Sequence, residues 1–259
     1  GLALLGRSVQ LMGVIGQEDL AWFRTRLQTF GVLTDNLLTT PDRTGVTVSV
    51  STREDRSFFT YIGANSRLAS MLSAEHVPGQ LEHSRHVHFA LPLDPGLAVH
   101  LLPELRSAGC TTSLDVGYQP AWLGAPESLL VSRAVDYVLP NEREAALMCH
   151  GNADDYLAFT EHNGFPRGVL KLGPRGAAMT IGGVHYSVSS PDINVVDTTG
   201  AGDAFNAGFI DALLDHAGPE DCLRRACLCG GLSTRVAGAV AGLPRRDQIE
   251  NLYDQTYTT

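Results

Sequence analysis

Asp197-Thr198-Thr199-Gly200-Ala201-Gly202-Asp203, running directly into Ala204-Phe205-Asn206-Ala207-Gly208-Phe209-Ile210-Asp211-Ala212-Leu213-Leu214, decides how the chain is read. Ala201, Ala204, Phe205, Phe209, Ala212 and Leu213 recur at helical spacing, which predicts a helix over 200–214. Gly200, Ala201 and Gly202 would then supply the first unpaired N–H groups, at the positive end of the helix dipole. Asp203, one turn in, would stand where it can take a proton from a hydroxyl attacking a phosphoryl group held on those N–H groups. The same residues also fit a plain helix start, with Asp197 or Thr198 as cap and Asp203 as a first-turn acid.

Outward from this stretch, strand-like and helix-like segments alternate. Runs at 9–15, 87–91, 111–116, 137–139 and 168–172 read as strands, and stretches at 20–30, 97–108, 126–135, 143–150 and 156–163 as amphipathic helices. That alternation predicts an α/β fold, a doubly wound, mostly parallel sheet flanked by helices. In such a sheet ligands lie beyond the carboxyl ends of the strands. Asp115, Asn141 with Glu144, and Lys171 each follow a predicted strand. The exception is 45–61, where two β-rich runs flank the polar Thr52-Arg53-Glu54-Asp55-Arg56 and read as a hairpin that could form a small β lid. The dinucleotide pattern Gly-x-Gly-x-x-Gly is incomplete, because Phe205 follows Gly202 at the third position, and no P-loop pattern occurs.

At this point the chain resembles the ribokinase-like, or PfkB, family of carbohydrate and nucleoside kinases. Asp197 to Ile210 is similar to that family's C-terminal signature without departure. Pro140-Asn141-Glu142-Arg143-Glu144 resembles its Asn-x-x-Glu motif, and Lys171-Leu172-Gly173-Pro174-Arg175-Gly176-Ala177 its Lys-Leu-Gly-x-x-Gly-Ala segment. Residues 3–16, Gly31-Val32-Leu33-Thr34, the segment around 44–65 with its Gly63-Ala64-Asn65 turn, and 233–244 extend the likeness over nearly the whole chain.

The resemblance implies a single ribokinase-like domain over 1–259 with β-lid elements around 44–65. It implies a kinase that uses ATP and Mg2+ to phosphorylate a hydroxymethyl group on a small sugar. Asp203 would be the base, with the Gly200, Ala201 and Gly202 backbone as anion hole. Asn141 and Glu144 would order magnesium, through water, together with the nucleotide phosphates. Lys171, Gly173, Gly176 and Thr199 would lie beside the nucleotide, and Asn65, Asp115 and Asp203 would meet the sugar. Asp197 and Thr199 match positions that coordinate K+ in some members, and a homodimer through the lid stays open. So do a nucleoside kinase, a 2-keto-3-deoxygluconate kinase, and a catalytically weak regulatory relative that binds nucleotide or sugar. The family's usual N-terminal strand and Gly-Gly segment are absent from these residues. In Asp115-Val116-Gly117-Tyr118-Gln119-Pro120, Gln119 stands where members acting on acidic keto-sugars often carry Arg, so a bidentate carboxylate clamp is missing there.

The chain has 259 residues, 28 acidic and 19 basic side chains, and a formal charge of −9. Such a field disfavours nucleic acid and anionic membranes as partners and leaves a small-molecule substrate. No apolar run reaches membrane-spanning length and no basic segment opens the chain, so a cytoplasmic protein is expected. Cys110, Cys149, Cys222, Cys227 and Cys229 suggest no paired framework, and Cys227 and Cys229 lie in an apolar run that reads as core. His86 and His88 would share a strand face, and inter-element hydrogen bonding suits them better than a metal.

Overall fold

The computed structural model describes residues 1–51, 56–72, 79, 81 and 83–257. The chain falls into two compact units, Gly6–Val77 and the remainder, Gly1–Leu5 with Pro78–Thr259.

In the unit Gly6–Val77, the apolar run at 9–15 forms two short strands where a single one was expected. The first, β1 (Val9–Gln10), pairs in parallel with β3 (Val32–Leu33), and β2 (Gly13–Gly16) pairs in parallel with β4 (Leu37–Thr40). The cause is a change of partner: Leu11 N–H still reaches Leu33 O at 3.0 Å, and by Gly13 the ladder has moved to Leu37. Helix α1 (Leu20–Gln28) links the two pairs. Next, β5 (Val46–Ser51) and β6 (Arg56–Tyr61) form the expected antiparallel hairpin, with Val46 opposite Tyr61 and Val48 opposite Phe59. Its polar turn, 52–55, lies outside the described residues. A tight turn of 3-10 helix, Gly63–Arg67, carries Asn65, and α2 (Leu68–Leu72) follows.

The larger unit is built on a six-stranded sheet. Strands β7 (His86–Phe89), β8 (Thr111–Leu114), β9 (Tyr137–Val138) and β10 (Arg167–Lys171) run parallel. Strands β11 (Ala177–Ile181) and β12 (Val184–Val188) continue it antiparallel, giving the order β12-β11-β10-β9-β8-β7. Helices α3 (Pro95–Ser107), α4 (Pro120–Leu123), α5 (Pro126–Ala134), α6 (Glu142–Met148) and α7 (Tyr156–His162) fill the crossovers. Helices α8 (Ala201–Leu214), α9 (Pro219–Ser233) and α10 (Arg246–Tyr257) close the unit.

Because side chains alternate across a strand, neighbours on β10 report opposite faces of the sheet. Val169 packs into the core formed by Tyr137, Met179, Phe205, Phe209 and Leu223, under α8 and α9. Gly168 faces Thr160 of α7 instead, so close that an added Cβ would meet its Oγ1 at 2.7 Å. Helices therefore cover both faces, as the alternation predicted. Gly208 likewise lets α8 and α9 meet, since a Cβ there would stand 2.6 Å from Arg225 O and from Cys229 Sγ. Asp211, buried in α8, ties this pair to α10 by accepting from Arg246 Nη2 at 2.6 Å and Arg225 Nη1 at 3.4 Å.

The cysteines are all free, and among the described residues no group of three or more His, Cys, Asp or Glu side chains could hold a metal. Cys227 joins the sheet-facing core and Cys229 a second cluster with Leu5, Leu232 and Ile249, so the pair faces two different neighbours. No helix among the described residues is long and apolar enough to cross a membrane.

Candidate active site

Gly200 opens α8 in the left-handed region, at φ 76°, and a Cβ there would press on Ala239 O at 3.0 Å. Only glycine meets both conditions. The first backbone bond of the helix runs from Ala204 N–H to Gly200 O at 2.9 Å. Ahead of it, Ala201 N–H is already bonded to Thr198 O at 3.2 Å, so of the three expected anion-hole amides it is the one that is engaged. The N–H groups of Gly202 and Asp203 have no backbone acceptor among the described residues.

The turn before the helix is held by Asp197. Its Oδ1 accepts from Thr199 N–H at 2.9 Å and from Thr199 Oγ1 at 2.7 Å, while Oδ2 accepts from Gly238 N–H at 2.9 Å. The N–H groups of Val196 and Asp197 both reach Thr234 O, at 2.8 and 3.0 Å. These bonds fasten the turn to the end of α9 and the loop beyond it.

Asp115 leaves the end of β8 and Lys171 ends β10, and the structure brings them together. Lys171 Nζ donates to Asp115 Oδ2 at 2.8 Å, and only 9% of the lysine side chain is exposed. Asn206, one turn after Asp203, joins them: its Nδ2 donates to Asp115 Oδ2 at 2.5 Å and its Oδ1 lies 3.5 Å from Lys171 Nζ. Gly117 N–H takes the other oxygen, Asp115 Oδ1, at 3.2 Å. Both Asp115 oxygens therefore serve the protein itself. Sequence reading assigned Asp115 to the sugar and Lys171 to the nucleotide, and did not single out Asn206. Its signal was available, since residues three apart on a helix share a face and Asp203 had been placed on it.

A Cβ built on Gly202 would stand 3.7 Å from Lys171 Nζ, which locates that ammonium at the start of α8. Asp203 is exposed at the same place. Although its side chain reaches solvent, partial loss of water around the carboxyl pushes it above the usual range and the Asp115 charge adds to this, while Lys171 opposes them. For Asp115, burial works against the charge, yet Lys171, Asn206 and Gly117 together hold it below the usual value.

Asn141 and Glu144 form a reciprocal cap on α6: Asn141 N–H donates to Glu144 Oε2 at 2.8 Å and Glu144 N–H to Asn141 Oδ1 at 3.0 Å. Glu144 is buried, at 4% exposure, and so is not a solvated acid at a helix start. Burial raises its carboxyl above the usual range. Lys171 N–H bonds Pro140 O at 3.0 Å, so this cap abuts the strand that carries the lysine. Gly173 and Gly176 bracket the turn between β10 and β11, at φ 56° and 99°. Arg175 between them pairs with Glu142 in the first turn of α6. Asn65 belongs to the other compact unit, where it is exposed.

The histidines are hydrogen-bonded as expected. His86 meets Thr111 Oγ1 at 2.8 Å and Ser113 Oγ at 2.7 Å, and His88 meets the same Ser113 Oγ at 2.7 Å. Burial lowers them to about 3 and about 4, so both are neutral at pH 7.

A sequence profile described as the pfkB family of carbohydrate kinases matches residues 1–246. The chain belongs to the pfkB family. It is therefore a sugar kinase, a phosphotransferase acting on a sugar hydroxyl. It is 27% identical over 271 residues to the 2-dehydro-3-deoxygluconokinase of Bacillus subtilis, covering 96% of this chain and 82% of that one. The ribokinase of the same organism is 28% identical over 264 residues, covering 96% and 83%. The solved Arabidopsis thaliana ribokinase complexed with ribose and ATP superposes with a TM-score of 0.85 at 24% identity, over 96% of this chain and 83% of that one. The chain shares the ribokinase-like α/β fold of that solved structure, and the two Bacillus subtilis relatives are named for different sugars.

The raised Asp203 carboxyl has a consequence for stability. The helix dipole favours its charge by only ~0.3–1 kcal/mol and is screened at an exposed site, so crowding and Asp115 prevail. A folded value above the unfolded one means stability that is present at acid pH and lost as pH rises through the folded value. Asp203→Asn is therefore expected to melt at a higher temperature than wild type at pH 7. The difference should close by about pH 3, below the ordinary Asp value of ~3.9. Paired thermal melts at the two pH values check it, and a variant less stable at pH 7 contradicts it.

Proposed function

We propose that this chain transfers the γ-phosphoryl group of ATP to a hydroxymethyl group of a small neutral sugar, with Asp203 as general base. The observation that carries this reading is the meeting of three features at the start of α8. They are the Gly202 and Asp203 N–H groups, which have no backbone acceptor among the described residues, the Lys171 ammonium and an Asp203 carboxyl with raised proton affinity.

In this reaction Asp203 takes the proton as the sugar oxygen bonds to the γ-phosphorus, and the bond from that phosphorus to the bridging oxygen of ADP breaks. Negative charge on the transferring oxygens is met by the Gly200 and Gly202 amides and by Lys171. Fixed donors of this kind need no reorganisation during the step. Gly173, Gly176 and Thr199 line the nucleotide side of the same reading.

Asn141 and Glu144 are the residues that would hold magnesium, through water. A single buried carboxylate beside its own cap fits outer-shell contact to a hydrated ion better than a protein cage. When bound, the ion supplies charge neutralisation on the nucleotide phosphates. Asp197 and Thr199 are the residues that would meet potassium, although here the Asp197 carboxylate ties the turn together by itself. Free thiols throughout fit a reducing compartment, and we assign the protein to the cytoplasm on that ground.

Gln119, exposed at the start of α4, supports a neutral substrate, because it offers no guanidinium to a carboxylate. Arg67, another arginine near the expected lid, is occupied by Asp42 at 3.0 Å. The dehydro-deoxygluconokinase relative keeps the acidic keto-sugar as the second reading, with a nucleoside as the third. In this proposal residues 1–259 act as one kinase domain, the hairpin within 44–65 is its lid, and Asn65 is a sugar contact. The hairpin presents Val46, Val48, Val50, Phe59 and Tyr61, each 46–65% exposed, on one face, which suits a homodimer formed through it.

Asp203→Asn should lower kcat by at least about 10²-fold with the fold intact, the low end for loss of a general base. A variant keeping more than half of wild-type kcat would remove Asp203 from the chemistry, and a wild type that releases no ADP with any acceptor would favour the regulatory reading. Across D-ribose, D-fructose, 2-keto-3-deoxygluconate and inosine, a neutral sugar should lead in kcat/KM by about tenfold or more, the effect of one charged hydrogen bond. The reverse order, with the keto-acid first, overturns the neutral-sugar assignment. Light scattering should give a dimer mass for wild type and a monomer mass for Phe59→Glu, whereas a monomeric wild type rules the lid dimer out.

A further inference from the structure

Asn206 has no part in the reaction as written above. It is buried, at 2% exposure, and lies on α8 one turn after the proposed base. A buried primary amide has to place its donor and its acceptor separately. Here the surroundings dictate which end goes where. With Nδ2 toward the Asp115 carboxylate and Oδ1 toward the Lys171 ammonium, both contacts are favourable. The flipped amide would set oxygen against oxygen and donor against donor.

The three groups close on one atom. Asp115 Oδ2 accepts from Asn206 Nδ2 at 2.5 Å and from Lys171 Nζ at 2.8 Å, and the backbone of Gly117 fixes the other carboxylate oxygen. The carboxylate is thus held from α8, from β10 and from its own loop. The ammonium it holds stands next to Gly202. Asp203, in the first turn of α8, is the other carboxylate at the helix start where that ammonium stands. An ammonium released from Asp115 would pair with Asp203 and withdraw both groups from the transfer.

We propose that Asn206 is a positioning residue: by fixing the Asp115 carboxylate it keeps the Lys171 ammonium beside the start of α8, clear of Asp203, where the transferring phosphoryl group arrives. The proposal rests on the phosphoryl-transfer reading of Lys171 and Asp203, and it adds a residue that the family signature does not by itself assign a task.

The test is a double-mutant cycle on the whole chain, reading kcat and the KM for ATP with the fastest acceptor of the panel above. Lys171→Gln removes the charge while leaving a donor for Asp115, and thermal melts verify that each variant is folded. Asn206→Ala is expected to lower kcat about tenfold while the KM for ATP changes less than about twofold. In the Lys171→Gln background the same substitution should have no further effect, because residues that act through one another are non-additive. Asn206→Asp, which keeps the shape and loses the donor to Asp115, should behave as Asn206→Ala does. Equal losses in both backgrounds, or full activity of Asn206→Asp, overturn the proposal and leave Asn206 a packing residue. If Lys171→Gln is damaging and Asn206→Ala harmless, the Asn206 proposal alone fails. If Lys171→Gln is itself harmless, the reading of Lys171 fails and the proposal with it.

Discussion

A lysine ammonium with 9% of its side chain exposed cannot be left uncompensated, and in this chain its compensation organises the site. The partner, Asp115, comes from the strand end two positions away in the sheet, because β9 lies between β8 and β10. The pair therefore bridges strand ends that do not touch through their backbones. Asn206 adds a tie to α8, so the helix carrying Asp203 is registered against the carboxyl edge of the sheet by the same contact that neutralises the lysine. Removing any one group would leave a buried polar atom without its partner, which makes the arrangement demanding and also specific.

The electrostatics follow from that placement. Two carboxylates and one ammonium share a small volume at the start of α8. Asp115 is held below the usual range by its partners, while Asp203, with no hydrogen-bonded partner for its carboxyl among the described residues, is pushed above it. Neighbouring acids driven in opposite directions suit different work: the first keeps its charge to hold a cation, and the second is, in the function proposed here, the one that accepts a proton. The neutral His88 on β7 keeps further positive charge away from the pair.

Much of this was legible in the sequence, for identifiable reasons. Gly200, Gly202 and Asp203 sit at fixed offsets from a helix with strong apolar periodicity, so the position of the turn that opens α8 followed from local rules. The strand ends followed from the alternation of elements. What escaped depended on pairing across space. The run at 9–15 looked like one strand because nothing local announces a change of ladder partner. The β11–β12 hairpin went unread although Gly182-Gly183, at φ 57° and 79°, is a clear turn signal. Asn141 and Glu144 were read for magnesium and the nucleotide, yet their spacing is equally that of a cap, and the structure shows the cap. Asp115 was assigned to the sugar through the family resemblance, and its place after a strand says nothing of its partners in the fold. That Lys171 and Asn206 already occupy it emerges once β8, β10 and α8 are assembled.

The pH dependence of kcat/KM in wild type and Lys171→Gln tests the central claim most directly, since it reports the free enzyme's essential base. If Asp203 is that base and Lys171 the cation beside it, the wild-type acid limb should fall above the ordinary carboxylate range. It should move to still higher pH in Lys171→Gln, because the charge that lowers the Asp203 value is gone. An acid limb within the ordinary range that stays in place when Lys171 is replaced would contradict the account.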